Sequence, residues 1–184
     1  MLTDFQIKKL TLLFNFWDYD NSGALRQNDY EAVGRRMAAE REWRPDSLEY
    51  QVLQQRLMAD WAQLQEFADL NNDDTVTLPE WLAFCDYLLD NEAMYEATVT
   101  AMASAIIDAV DRDGDGALQV EEWATIYRVY GWRDAMVAAQ TFATIDTDGD
   151  RSVSKDELLK ALDEFFQSND ENAPGNYVFG PLDP

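Results

Sequence analysis

Four short clusters of side-chain oxygens recur along the 184-residue chain: Asp18-Tyr19-Asp20, Asp69-Leu70-Asn71-Asn72-Asp73, Asp111-Arg112-Asp113-Gly114-Asp115 and Asp146-Thr147-Asp148-Gly149-Asp150. Eleven residues after each first Asp stands another acid: Asp29, Glu80, Glu122 and Glu157. Each unit also carries a leucine or valine at its eighth position, Leu25, Val76, Leu118 and Val153. Carboxylates alternating along a turning segment aim successive oxygens at one centre. A hard divalent cation such as Ca²⁺ wants about 6–8 oxygen ligands at short range. A glycine in mid-turn supplies the left-handed backbone, and a longer acid at the end closes the ligand set with two oxygens. The unit occurs four times, so it is an internal repeat and not a chance cluster.

Composition narrows the alternatives. There are 36 acidic against 14 basic residues, a formal charge of −22, and no histidine. Such a chain is repelled by phosphate backbones and by anionic membranes, so neither nucleic acid nor a membrane is expected as a partner. Without histidine there is no Ser-His-Asp triad, no Cys-His pair and no imidazole base, and an enzyme is not expected. Hydrophobic residues make up 47% and aromatics 12%, enough to fill a core, which separates this chain from disordered acidic sequences. Cys85 stands alone and cannot form an internal disulfide; on the face shared with Trp81, Phe84 and Leu88 it reads as a small buried hydrophobe. The apolar run Leu10–Phe14 is short and leads into Asp18 and Asp20, which fits an amphipathic helix better than a signal peptide. No stretch reaches the roughly 18 apolar residues of a membrane span. Position 2 is not glycine, so no myristoylation signal is expected, and a cytoplasmic location is.

Helices must position the clusters. Thr3 and Gln6 form a capping-box start, and Ile7, Leu10, Phe14 and Trp17 recur at helical spacing before the first cluster. Tyr30, Val33 and Met37 continue after it. Leu53, Leu57, Trp61, Leu64 and Phe67 precede the second cluster; Trp81, Phe84, Cys85 and Leu88 follow, with Pro79 in a tolerated first-turn position. Tyr95, Val99, Met102, Ile106 and Val110 lead into the third, and Trp123, Ile126, Tyr127 and Tyr130 leave it toward a stop at Gly131. Phe142 and Ile145 precede the fourth; Leu158, Leu162, Phe165 and Phe166 follow. These stripes are core, and Pro45 separates the helices of the longer first pair.

Helix–loop–helix units with D-x-[DN]-x-[DN]-G-x₅-E loops resemble the EF-hand family. The resemblance implies an all-α fold of four EF-hand units in two pairs, packed as one compact globule. Short β contacts, Leu25 with Val76 and Leu118 with Val153, are expected between paired loops and would couple their sites, making binding cooperative. Expected boundaries are 1–91 for the first pair, 92–168 for the second and 169–184 for a tail packed on the core. The resemblance assigns ligands loop by loop. The third loop matches throughout, with Asp111, Asp113, Asp115, the Ala117 carbonyl, Gln119 and Glu122 around Gly116. The fourth has Asp146, Asp148, Asp150, the Ser152 carbonyl, Ser154 and Glu157, with Arg151 at the glycine position. The second has Asp69, Asn71, Asp73, the Thr75 carbonyl, Thr77 and Glu80, with Asp74 there. The first has Asp18, Asp20, Ser22, the Ala24 carbonyl and Asp29, with Arg26 at the ninth position. A terminal Asp is shorter than Glu and favours six-fold geometry, so Mg²⁺ is expected to compete there first. Up to four Ca²⁺ ions are implied.

Nearly the whole chain is similar to the sarcoplasmic calcium-binding proteins and their bacterial relatives of the calerythrin type. The elongated first pair, the Asp closing the first loop and the tail Asn172–Pro181 carry that likeness. It implies a monomeric high-affinity Ca²⁺ and Mg²⁺ buffer with the tail folded back through Tyr177, Phe179 and Leu182. Six Trp, eight Tyr and nine Phe make a bulky interior suited to staying closed. A sensor exposing a groove to a partner protein is the first alternative, disfavoured by only six dispersed Met and the short Asp90-Asn91-Glu92 connection. A carrier of a small apolar ligand is the second. It draws on similarity to photoproteins, which end in proline as Pro184 does, although their histidine-based chemistry has no counterpart here.

Overall fold

The computed structural model describes residues 1–131 and 134–182. Pro184, and with it the end of the expected tail, lies outside the described residues. Eight α-helices run in chain order among the described residues: α1 Asp4–Trp17, α2 Gln27–Glu40, α3 Leu48–Ala68, α4 Leu78–Leu89, α5 Glu92–Val110, α6 Val120–Val129, α7 Ala135–Ile145 and α8 Lys155–Gln167. Two short strands, β1 Ala24–Leu25 and β2 Val76–Thr77, pair antiparallel with Leu25 opposite Val76. Leu118 and Val153 form an isolated antiparallel bridge, with N–H···O distances of 3.0 and 2.8 Å in the two directions. Both contacts are those the eighth positions predict. All four residues are fully buried, so the strand contacts also seal the inner face of each loop pair.

Local chemistry sets the helix ends. Thr3 and Gln6 form the expected capping box: the Gln6 N–H donates to Thr3 Oγ1 at 3.2 Å, and the Thr3 N–H to Gln6 Oε1 at 3.0 Å. Ser47 starts α3 beyond Pro45, its hydroxyl accepting from the Tyr50 N–H. Asn91 starts α5 and Asp134 starts α7 in the same way. Gly131 takes φ +90° just past α6, where the sequence places a stop.

The stripes bury the faces expected of them with some rotation. In α5, Ala103 and Ile107 are buried while Met102 and Ile106 sit half-buried. In α1, Leu13 and Phe16 are buried and Ile7 is 37% exposed. In α3, Ala68 is buried and Phe67 is 40% exposed. Apolar residues occupy two adjacent faces of these helices, and packing decides which face turns inward. Cys85 is buried, and burial pushes its thiol pKa well up.

Both loop pairs share one interior. The Phe16 ring from α1 stacks on Tyr130 beyond α6 at 3.7 Å between centroids, and edge-on against Phe179 of the tail at 5.4 Å. The tail returns through a 3₁₀ turn, Pro174–Tyr177, against α7 and α8. Its anchors are Val178 and Phe179, both buried; Tyr177 and Leu182, which the sequence offers as anchors, are half-buried. Tyr177 contributes instead through its carbonyl, which with that of Val178 accepts from the Tyr127 hydroxyl.

Candidate metal centres

The first Asp of every cluster ends the incoming helix. Asp18, Asp69, Asp111 and Asp146 are the C-caps of α1, α3, α5 and α7, each donating its N–H to the carbonyl four residues back. Each carboxylate then folds the loop around itself. One oxygen accepts the N–H of the sixth residue: Gly23 at 2.9 Å, Asp74 at 3.0 Å, Gly116 at 3.0 Å and Arg151 at 3.0 Å. The third-position side chain accepts the fifth residue's N–H in all four loops, at 2.9–3.2 Å. These bonds bend the backbone so that side-chain oxygens converge, and they need the left-handed region at two positions.

The sixth position is Gly23, Asp74, Gly116 or Arg151, with φ from +62° to +84°. The fourth is Asn21, Asn72, Gly114 or Gly149, also left-handed at +53° to +77°. Sequence reasoning missed this second requirement. Its signal was present, because only Asn and Gly, the residue types that tolerate the region best, occupy the fourth position.

The closing acids share a second device. Each sits at the third position of the outgoing helix and accepts the N–H of the loop's ninth residue: Arg26 to Asp29 at 2.8 Å, Thr77 to Glu80 at 2.9 Å, Gln119 to Glu122 at 3.0 Å and Ser154 to Glu157 at 3.0 Å. This is the reciprocal half of a capping box, placed where the helix dipole favours negative charge. The second oxygen differs between loops. Glu122 reaches back to the Arg112 N–H at 2.6 Å, and Glu157 to the Thr147 N–H at 2.8 Å, so both span their loops from end to end. Among the described residues Glu80 accepts from Thr77, through both its N–H and its hydroxyl.

Three loops bring three carboxylates within 4.8 Å of one another: Asp18, Asp20 and Asp29; Asp111, Asp113 and Glu122; Asp146, Asp148 and Glu157. Asp69, Asp73 and Glu80 of the second loop form no such group among the described residues. There Asn71 replaces an acid and donates to Asp73 at 3.0 Å, and Thr75 donates to the same carboxylate at 2.6 Å. Asp115 and Asp150 lie outside the tight groups, each accepting the N–H two residues on, from Ala117 and Ser152.

The electrostatics follow from burial and donors. Asp29 is 2% exposed; burial raises its pKa, outweighing the Arg26 N–H, and repulsion from Asp20 and Asp18 adds to the rise. A divalent cation would relieve that repulsion. For Glu157 burial acts upward, but donors from Ser154 and Thr147 together win and hold it below the usual carboxylate range. Asp73 is also lowered, first by the Thr75 hydroxyl. An all-oxygen donor set of clustered carboxylates beside loop carbonyls fits a hard cation such as Ca²⁺ or Mg²⁺.

Known proteins share this architecture. The family model described as EF hand matches residues 104–127 and 138–162, which span the third and fourth loops. Calerythrin of Saccharopolyspora erythraea is 26% identical over 167 residues, covering 90% of this chain and 94% of its own. Sarcoplasmic calcium-binding proteins I, III and IV of Branchiostoma lanceolatum are 26% identical over 162 residues, covering 80% and 81%. Among solved structures, a Streptomyces coelicolor calcium-binding protein superposes with a TM-score of 0.72 at 27% identity, covering 89% of this chain and 98% of its own. That protein is described as a basis for prokaryotic calcium-mediated regulation. The Branchiostoma and Streptomyces relatives are calcium-binding proteins. With four helix–loop–helix units, two loop pairs and a docked tail, the chain has the all-α EF-hand fold and is similar along most of its length to calerythrin and the sarcoplasmic calcium-binding proteins.

Proposed function

We propose that the protein is a high-affinity intracellular Ca²⁺ buffer that also takes Mg²⁺, acting as a monomer in the cytoplasm. The observation that carries the buffer reading is the interior that both loop pairs share. Phe16, Tyr130, Phe179 and Phe165 form a continuous chain of ring contacts from α1 through the tail to α8. Opening either pair into a groove would pull these rings apart, which favours a protein that binds ions and stays closed. Ligands in this reading are those named for the four loops, with up to four ions. Dissociation constants around 10⁻⁹–10⁻⁷ M are expected for a buffer. The first loop is assigned to Mg²⁺ competition because the buried Asp29 is short.

Calorimetric titration with Ca²⁺, with and without millimolar Mg²⁺, gives the site count and the preference together. Glu122→Gln removes one ion from the stoichiometry; an unchanged number at unchanged affinity would sink the ligand assignment. A regulatory reading is favoured by the Streptomyces coelicolor relative alone. It requires a large Ca²⁺-dependent gain in fluorescence of a hydrophobic probe, whereas the buffer reading requires none.

A further inference from the structure

The ninth loop positions are Arg26, Thr77, Gln119 and Ser154, so only the first loop places a cation there. The Arg26 guanidinium donates to Ser22 Oγ at 2.6 Å, and that hydroxyl donates onward to the Ala24 carbonyl at 3.0 Å. Two of the oxygens assigned to an ion in this loop are therefore tied to one arginine. Loop 3 has the same link without the charge: Gln119 Nε2 donates to the fifth-position Asp115 at 2.9 Å. The strand pairing adds a second neighbour. Ala24 opposes Thr77 and Leu25 opposes Val76, so continuing the register sets Arg26 across from Thr75, two residues from Asp73 of loop 2.

The geometry points to Arg26 as a tethered cation shared between the paired loops, which weakens ion binding in loop 1 and makes sites 1 and 2 antagonistic. An ion in loop 2 repels the guanidinium from Asp73 and presses it toward Ser22 and the loop 1 oxygens. An ion in loop 1 drives it back toward Asp73. The sign is opposite to the cooperativity expected of the β contact alone. The inference rests on the reading that loops 1 and 2 hold ions.

Ca²⁺ titration of the full chain, followed by amide NMR at Gly23 for loop 1, Asp74 for loop 2 and Gly116 for loop 3, tests it. Arg26→Gln gives loop 1 the arrangement of loop 3 and raises its affinity roughly tenfold, whereas Arg26→Lys keeps the charge and stays near wild type. Glu80→Gln, which weakens loop 2, raises loop 1 affinity in the wild type and by a smaller factor in Arg26→Gln. A Gly23 midpoint unmoved by Arg26→Gln, or an equal Glu80→Gln effect in both backgrounds, overturns the proposal. If the Gly23 and Asp74 amides ignore Ca²⁺ in every variant while Gly116 responds, the ion-binding reading of the first pair fails, and the proposal with it.

Discussion

Arg151 holds φ +76° in the fourth loop, where its N–H donates to Asp146. A side chain in that region costs roughly 1–2 kcal/mol, and the loop tolerates it because the hydrogen bond fixes the turn. Glycine would remove the strain while adding about 0.5–1 kcal/mol of unfolded-state freedom. Arg151→Gly is therefore expected to stabilise the protein by about 0.5–1 kcal/mol, read as a higher urea midpoint at constant slope. A lower midpoint would mean that the Arg151 side chain contributes more than its strain removes. At this scale the sequence was legible wherever a residue type does one job. The first-position aspartates, the closing acids and the sixth-position turns all stand where the spacing puts them. Less legible were residues doing two jobs. Each closing acid is also a helix cap, and Arg26 reads as a mere irregularity until its contact with Ser22 is seen.

Helix boundaries could be read from capping residues and breakers, but the docking of elements distant in sequence could not. Lys9 illustrates the limit: by type it belongs to the solvated face of α1, yet it is fully buried. Its ammonium donates to the carbonyls of Glu164 and Ser168 at the end of α8 and to Asn176 Oδ1 in the tail, all more than 150 residues away. Burial lowers its pKa from 10.5 to about 8, against an opposing pull from Glu164. The unfolded chain thus holds this proton across pH 8 to 10.5 where the folded chain has released it. Stability from this group therefore grows as pH rises through that window, by up to about 1.4 kcal/mol per pH unit. Above pH 10 the buried tyrosines, such as Tyr30 and Tyr130, act the other way, because burial raises their pKa values. Subtracting a Lys9→Met variant from wild type between pH 8 and 10 isolates the rise; parallel curves would refute it. The tail offers a second test. A Cβ on Gly175 would strike the Ala161 carbonyl and Glu164 Cβ on α8. Gly175→Ala is expected to cost about 1–3 kcal/mol by forcing the 3₁₀ turn outward, with faster proteolysis of the tail as the check.

Across the whole molecule, helices from the two loop pairs are tied by polar links as well as by rings. Arg36 donates to the Val129 carbonyl, Arg41 to the Asp111 carbonyl, and Arg128 pairs with Glu40 at 2.7 Å. Such coupling predicts one cooperative unfolding transition, with ion binding in any loop stabilising the entire chain. The charge of −22 acts against that structure, and four divalent ions would cancel eight of those charges. A site holding an ion at a hundred times its dissociation constant adds about 2.7 kcal/mol, so chelation should lower the unfolding midpoint steeply. Two causes would contribute: lost coordination and unrelieved repulsion among carboxylates. Salt separates them, since the screening length falls from about 10 Å at 0.1 M to 3 Å at 1 M. Repulsion between clusters on different loops lies well beyond the shorter length, and carboxylates within 4.8 Å of one another are close enough to it to be screened in part, whereas lost coordination is not replaced by salt at all. Raising NaCl to 1 M in chelator should therefore recover a minor part of the lost stability, and Ca²⁺ should restore the rest in a single transition. Full recovery by salt alone would show that the loops act as diffuse charge and not as coordination sites.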